Sequence, residues 1–134
     1  MNDLEYIPGD LVEAWIGINT GSQVAEVVGY NPLYQEYILN NWFIEETRGY
    51  ISITEDRITP IPLTSKILEK NGWKLIHGFY WSPNEEGAGV GLSSQTGYVW
   101  EAYIGRHPLR SNINSVSDLQ HLLFGLGLNH EMEV

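Results

Sequence analysis

The chain has 134 residues, of which 17 are acidic and 7 basic, giving a net charge of −10 with no cysteine. That size suits one domain or two small ones sharing a core, burying about two-thirds of the extended surface. The absence of cysteine excludes disulfides and thiolate metal sites.

The charge is uneven along the chain. Residues 1–47 contain no Lys or Arg, against the eight carboxylates Asp3, Glu5, Asp10, Glu13, Glu26, Glu36, Glu45 and Glu46. Binding to a nucleic-acid backbone relies on cationic side chains, so direct nucleic-acid binding is not expected. A protein partner with a basic surface is the matching expectation. The N-terminus lacks a basic region followed by an apolar run, and no stretch is long enough to span a bilayer, so a soluble, cytoplasmic protein without membrane contact is expected.

In chain order, the first elements read as short strands. Leu11 to Ile16 is an apolar strand, followed by a turn-rich loop from Gly17 to Ser22. Val24 to Tyr30 is β-branched and stops at Asn31-Pro32, and Tyr34 to Leu39 forms a third strand. Tyr50 to Thr54 alternates cleanly, and Glu55-Asp56 turns the chain into Arg57-Ile58-Thr59. Short strands with tight connections predict a bent antiparallel sheet of the SH3-like kind over residues 1–59.

Residues 60–134 are expected to pack with this module as one compact unit. Their first element is a helix with both ends specified. Pro62 bars a helix upstream, Thr64 is the N-cap, and Leu63 before it staples onto Leu68. Gly72 is the left-handed stop, which places Trp73 against Leu68 in a Schellman cap. Lys74 to Trp81 then begins a second antiparallel set that turns at Pro83 to Gly87. Gly89 to Ser93 is a strand whose alternate glycines require another group close over one face.

Tyr98 to Ile104 is the next strand, and Gly105 to Asn114 reads as a loop. The last helix is capped by Ser115 with Asp118 three residues on, and Val116, Leu119, Leu122, Leu123 and Leu126 fall on one stripe. Gly127 stops it, folding Leu128 back on Leu123, and alternation of Met132 and Val134 with glutamates suggests a terminal edge strand. The fold class is α+β.

Pro60-Ile61-Pro62-Leu63-Thr64 with Ile67-Leu68, Lys70 and Gly72-Trp73, together with Leu119 to Leu126, resembles a family of small uncharacterised proteins from Bacteroidetes genomes. Many of its members sit among prophage and mobile-element genes. Ile7-Pro8-Gly9-Asp10-Leu11-Val12 resembles the family's opening strand, while residues 88–114 match least. Leu128 stands where the family has its helix-ending glycine. The resemblance implies a compact domain accessory to a mobile element, and it brings no activity, site residue or cofactor.

Catalytic signatures are lacking. His77, His107, His121 and His130 have no metal-ligand spacing, and His77 is expected within a strand. Glu45-Glu46 and Glu85-Glu86 are neighbours whose side chains point apart in loops, whereas shared-proton chemistry requires facing carboxylates. Ser93 lacks the second glycine and following helix of a nucleophile elbow, and no helix N-terminus stands behind the glycines at 87, 89 and 91 to hold a phosphate. No metal or cofactor is expected.

Aromatic residues are the remaining lead, with five Trp and eight Tyr. Cross-strand packing explains many of them. The candidate binding residues are Trp81, Tyr98, Trp100, Tyr103 and His107. Alternation puts Tyr80 opposite Trp81, and Tyr98 and Trp100 opposite Tyr103. The leading expectation is a non-enzymatic interaction or adaptor module using an acidic N-terminal surface and an aromatic strip. Its alternative is a small-molecule binder or enzyme with a pocket between the sheets around Trp81, Trp100 and His107, and a weaker one is an acidic decoy for a nucleic-acid-binding protein.

Overall fold

A computed structural model describes residues 5–17, 21–40, 50–83 and 89–134. The pairs Glu45-Glu46 and Glu85-Glu86, and most of the expected turns at 17–22 and 83–87, lie outside them. The described residues form an α+β fold of two five-stranded antiparallel sheets and two α-helices.

The first sheet contains β1 (Leu11–Gly17), β2 (Gly21–Asn31), β3 (Glu36–Asn40), β4 (Tyr50–Thr54) and β5 (Ile58–Pro60), in the order β4-β3-β2-β1-β5. A 3-10 turn, Glu55–Arg57, brings the chain from β4 to the far side of β1. Strand alternation gives this sheet one apolar face. Val12 and Ala14 share it with Ala25, Val27, Tyr37, Leu39, Ile53 and Ile58, and Tyr6 closes it with its ring 5.5 Å from that of Tyr37.

The chain passes from this core to a second one between Ile58 and Ile61. The crossing segment is tied down by backbone bonds, with Val116 N–H donating to the Ile61 carbonyl at 2.8 Å and Leu63 N–H to that of Asn114 at 3.2 Å. Helix α1 (Ser65–Lys70) follows with the expected ends. Thr64 Oγ1 accepts from Ile67 N–H at 3.3 Å, while Trp73 N–H reaches the Leu68 carbonyl at 3.0 Å and Gly72, at φ +86°, reaches that of Glu69 at 3.1 Å. Leu63, Leu68 and Trp73 are buried together, so the staple and the Schellman contact belong to the core.

The second sheet runs in chain order: β6 (Lys74–Ile76), β7 (Phe79–Trp81), β8 (Val90–Ser93), β9 (Trp100–Ile104) and β10 (His107–Ile113). Helix α2 (Val116–Gly125) joins its inner face in a core that includes Tyr80, Val90, Leu92, Trp100, Ala102, Leu119 and Leu123. Ser115 caps α2 by accepting from Asp118 N–H at 3.1 Å, and Leu128 N–H returns to the Leu123 carbonyl at 2.9 Å behind Gly127. None of the described helices is long and apolar enough to cross a membrane.

β1 serves both cores. Val12 and Ala14 point into the first, while Leu11, on the opposite face, is buried in the second. Gln120 of α2 completes this seam. Its Oε1 accepts from Leu11 N–H at 2.8 Å, and its Nε2 donates to the carbonyls of Gly9 at 2.8 Å and His130 at 3.0 Å. With these three bonds made, the buried amide ties the entry of β1 to α2 and to the terminal segment.

Four expectations need correction. Residues 74–81 are a hairpin and not one strand, because His77 and Gly78, at φ +52° and +85°, form its two-residue turn. Two successive positive φ values match the right-handed twist of the flanking strands, so His77 belongs to a turn. Tyr98 and Val99 precede β9, since Thr96 Oγ1 accepts from both backbone N–H groups at 3.1 and 3.3 Å and holds them in a bend.

Residues 107–113 form strand β10 where a loop was expected. It is an edge strand, which tolerates Pro108 and exposed polar residues, and two register shifts against β9 blur its alternation. The terminal segment forms no strand either. Asn71 takes the place of a strand partner, its Oδ1 accepting from Glu133 N–H at 2.8 Å and its Nδ2 donating to the Glu133 carbonyl at 2.7 Å.

Candidate functional site

The glycine spacing in β8 explains the most distinctive surface of the molecule. Gly91 lies opposite Trp81 of β7 on one side and Tyr103 of β9 on the other. A Cβ on Gly91 would stand 2.9–3.2 Å from three atoms of the Trp81 ring, so only glycine lets that indole lie across the sheet. This is the close-packed group that the glycine alternation required.

Phe79 continues the row, with ring centroids 5.8 Å from Trp81 and 5.6 Å, edge-on, from Tyr103. The three half-buried rings form a strip over the outer face of the second sheet, away from α2. At the sheet edge, Ile76 of β6, paired with Phe79 and 49% exposed, extends the apolar surface beyond the strip, while Leu75, paired with Tyr80, belongs to the other face.

Beside Tyr103 the same face holds a pocket of about 370 Å³, lined by residues 93–96, Val99, Glu101, Tyr103 and Asn112. Its wall is set by local hydrogen bonds. Ser94 Oγ donates to the Val99 carbonyl at 2.6 Å and accepts from Gly97 N–H at 2.9 Å. Tyr103 OH donates to Glu101 Oε2 at 2.6 Å, a bond that raises the Tyr103 pKa by stabilising its protonated form.

The five sequence candidates divide among several places. Trp81 and Tyr103 belong to the strip, and Tyr98, 72% exposed, projects from the bend that carries the pocket's Thr96 and Val99. His107 is exposed on edge strand β10 opposite Ile104. Trp100 is only 3% exposed on the inner face, with Nε1 donating to the Leu63 carbonyl at 2.9 Å and its ring 5.8 Å from Tyr80. Trp81, Trp100 and His107 therefore form no common pocket, because strand alternation sends the two indoles to opposite faces.

The cleft that does lie between the two units, about 750 Å³, is lined by Gly9, Leu11 and Glu26 of the first, by residues 70–72, and by Asn129 and residues 131–133. No aromatic residue lines it. Among the other described tryptophans, Trp73 is in the core, and Trp15 carries the Arg57 guanidinium 4.6 Å above its ring. Trp81, half-buried, is the described tryptophan that belongs to the aromatic strip.

Two acid pairings escaped the sequence reading because their members are far apart in the chain. Asp10, 1% exposed, accepts from Ile7 N–H at 2.9 Å and meets His121 Nε2 at 2.5 Å. That hydrogen bond raises the His121 pKa, with the charges of Asp10 and Asp118 adding to it while burial and Arg110 oppose it. The pair straps the entry to β1 onto α2 beside Gln120. Glu5 and Glu55 form the second pairing, and their shared hydrogen bond raises the Glu5 carboxyl above its ordinary range, with burial and neighbouring carboxylate charge adding to the shift. Among the described residues no group of three or more His, Asp or Glu is placed to hold a metal ion.

Neither pairing lies on the aromatic face, so the site with both accessible apolar surface and uncommitted polar groups is the outer side of the second sheet. No family model, curated protein or solved structure matches the chain.

Proposed function

We propose that the protein is a non-enzymatic interaction or adaptor module acting in the cytoplasm as an accessory to a prophage or mobile element, the setting implied by the resemblance of its proline-leucine and terminal helix motifs. The observation that carries the binding role is the Phe79, Trp81 and Tyr103 strip, with Trp81 laid across Gly91, on a face that neither described helix covers. Large amphipathic rings held in one orientation bind with little further loss of side-chain freedom.

The first unit supports a second contact. Its five-stranded meander returns, after a 3-10 turn, to place β5 beside β1, and this connectivity supports the SH3-like reading. Exposed Glu13, Glu55 and Asp56 on that unit favour a partner with a basic surface. An adaptor with one charged and one aromatic surface holds two partners by different physics. The pocket beside Tyr103 favours small-molecule binding as the alternative use of the aromatic face.

Capture from lysate on immobilised protein tests the module at low and high salt. A partner on the aromatic strip is expected to survive salt and to be lost from a Phe79→Ala/Trp81→Ala variant, whereas one on the acidic unit is expected to be lost in salt. A captured set unchanged by both the double variant and salt would overturn the reading.

A further inference from the structure

We infer that the pocket beside Tyr103 is a binding site for a neutral, hydroxyl-rich ligand, that is, a saccharide, whose ring stacks on Tyr103 while its hydroxyls enter the pocket. The inference rests on the reading of this face as the binding surface and names its ligand class. Its first ground is chemical composition. The lining offers the hydroxyl of Ser93, the amides of Gln95 and Asn112, the Glu101 carboxylate and the Tyr103 phenol, with Val99 as the aliphatic side chain.

These groups discriminate among ligand classes. The side chains of Ser93, Gln95 and Asn112 have no hydrogen-bond partner among the described residues, so an apolar ligand would strip water from them and return nothing. An anionic ligand meets Glu101, and no Lys, Arg or His lines the pocket to balance it. A cationic group can pair with Glu101, whose Oε2 already accepts from the Tyr103 hydroxyl, but it has no acceptor to offer the amide donors of Gln95 and Asn112. A neutral ligand that both donates and accepts satisfies amides, hydroxyl and carboxylate together, because each of these groups is matched by a C–OH.

Shape points the same way. The volume of about 370 Å³ falls within the range of roughly 300–1,000 Å³ typical of small-molecule sites. Tyr103 belongs to both the pocket wall and the aromatic strip, so a ring stacked on Tyr103 has its rim at the polar side chains. The wall is also preformed. Ser94 and Thr96 spend their hydroxyls on fixing the bend at residues 94–99, and Glu101 holds the Tyr103 phenol, so the backbone of the bend and the phenol are set before any ligand arrives.

The test is a titration of isotopically labelled protein with glucose, galactose, mannose, N-acetylglucosamine, maltose and cellobiose, followed through amide NMR shifts. Inorganic phosphate and an oligolysine peptide serve as the charged arms. At least one sugar is expected to give saturable shifts confined to residues 93–103 and 112, with Tyr103→Ala and, separately, the exposed Gln95→Ala weakening binding by roughly tenfold, or about 1.4 kcal/mol. Gln95→Ala keeps the test valid if Tyr103→Ala disturbs the sheet.

The inference is overturned if no sugar gives saturable shifts at roughly 50 mM, where a millimolar Kd is visible. It is also overturned if the shifts lie elsewhere, if Gln95→Ala leaves them unchanged, or if phosphate or oligolysine binds the pocket instead. Failure of every sugar while Phe79→Ala/Trp81→Ala still abolishes partner capture would remove the saccharide and leave the interaction module standing.

Discussion

Trp81 and Trp100 sit in neighbouring parts of one sheet and do opposite things. Trp100, on the inner face, is enclosed by the core shared with α1 and α2, and its indole N–H is committed to a backbone carbonyl. Trp81, on the outer face, rests on glycine and is only half-buried. The difference is one of strand parity. An aromatic-rich sheet covered on one side assigns alternate rings to stability and to recognition, and the glycines mark the side where a ring must lie flat.

The inner face is where substitution should do most damage. Trp100→Ala is expected to cost roughly 3–5 kcal/mol in urea unfolding, through a large cavity and an orphaned Leu63 carbonyl. A loss below about 1 kcal/mol would mean that the two indoles are not divided as described.

The outer face should respond to a much smaller insertion. Gly91→Ala places a methyl group against the Trp81 ring and is expected to cost about 1–3 kcal/mol as the indole shifts. Near-ultraviolet circular dichroism reads that shift directly, and an unchanged tryptophan signal would show that the ring does not lie over the glycine.

The smallest expected effect concerns the seam and depends on pH. Because the folded protein raises the His121 pKa above its ordinary value of 6.5, the Asp10–His121 pair contributes stability that is complete below that value. The contribution is lost as pH rises through the folded-state pKa. The stability difference between the wild type and His121→Gln should therefore shrink as pH increases from acid towards neutral and beyond. A difference that grew with pH would reverse the sign and place the proton elsewhere.

Local signals in the sequence carried much of this fold. Thr64, Gly72 and Trp73 specify α1, and Ser115, Gly127 and Leu128 specify α2, because caps act within a few residues and their geometry follows from residue type. Strand β4 was legible in the alternating isoleucines at 51 and 53. Strand β10 was not, since an edge strand with a proline and two register shifts has no alternation to read. The glycines of β8 announced a close neighbour, yet only the pairing with β7 identifies it as Trp81.

The candidate site was legible in part for the same reason. Trp81, Tyr103 and the opposition of Trp100 to Tyr103 follow from alternation, while Glu101, Gln95 and Asn112 join them through pairing and bends that local pattern does not encode. Asp10 and His121, and Glu5 and Glu55, meet across long separations and leave no local trace.

Urea unfolding of Trp81→Ala beside Trp100→Ala tests the division between the faces most directly. A half-buried ring on an open face should cost roughly 1–2 kcal/mol, well below the loss from the enclosed one. Equal losses, or a larger loss at Trp81, would make the outer strip a second core and contradict its assignment as a binding surface.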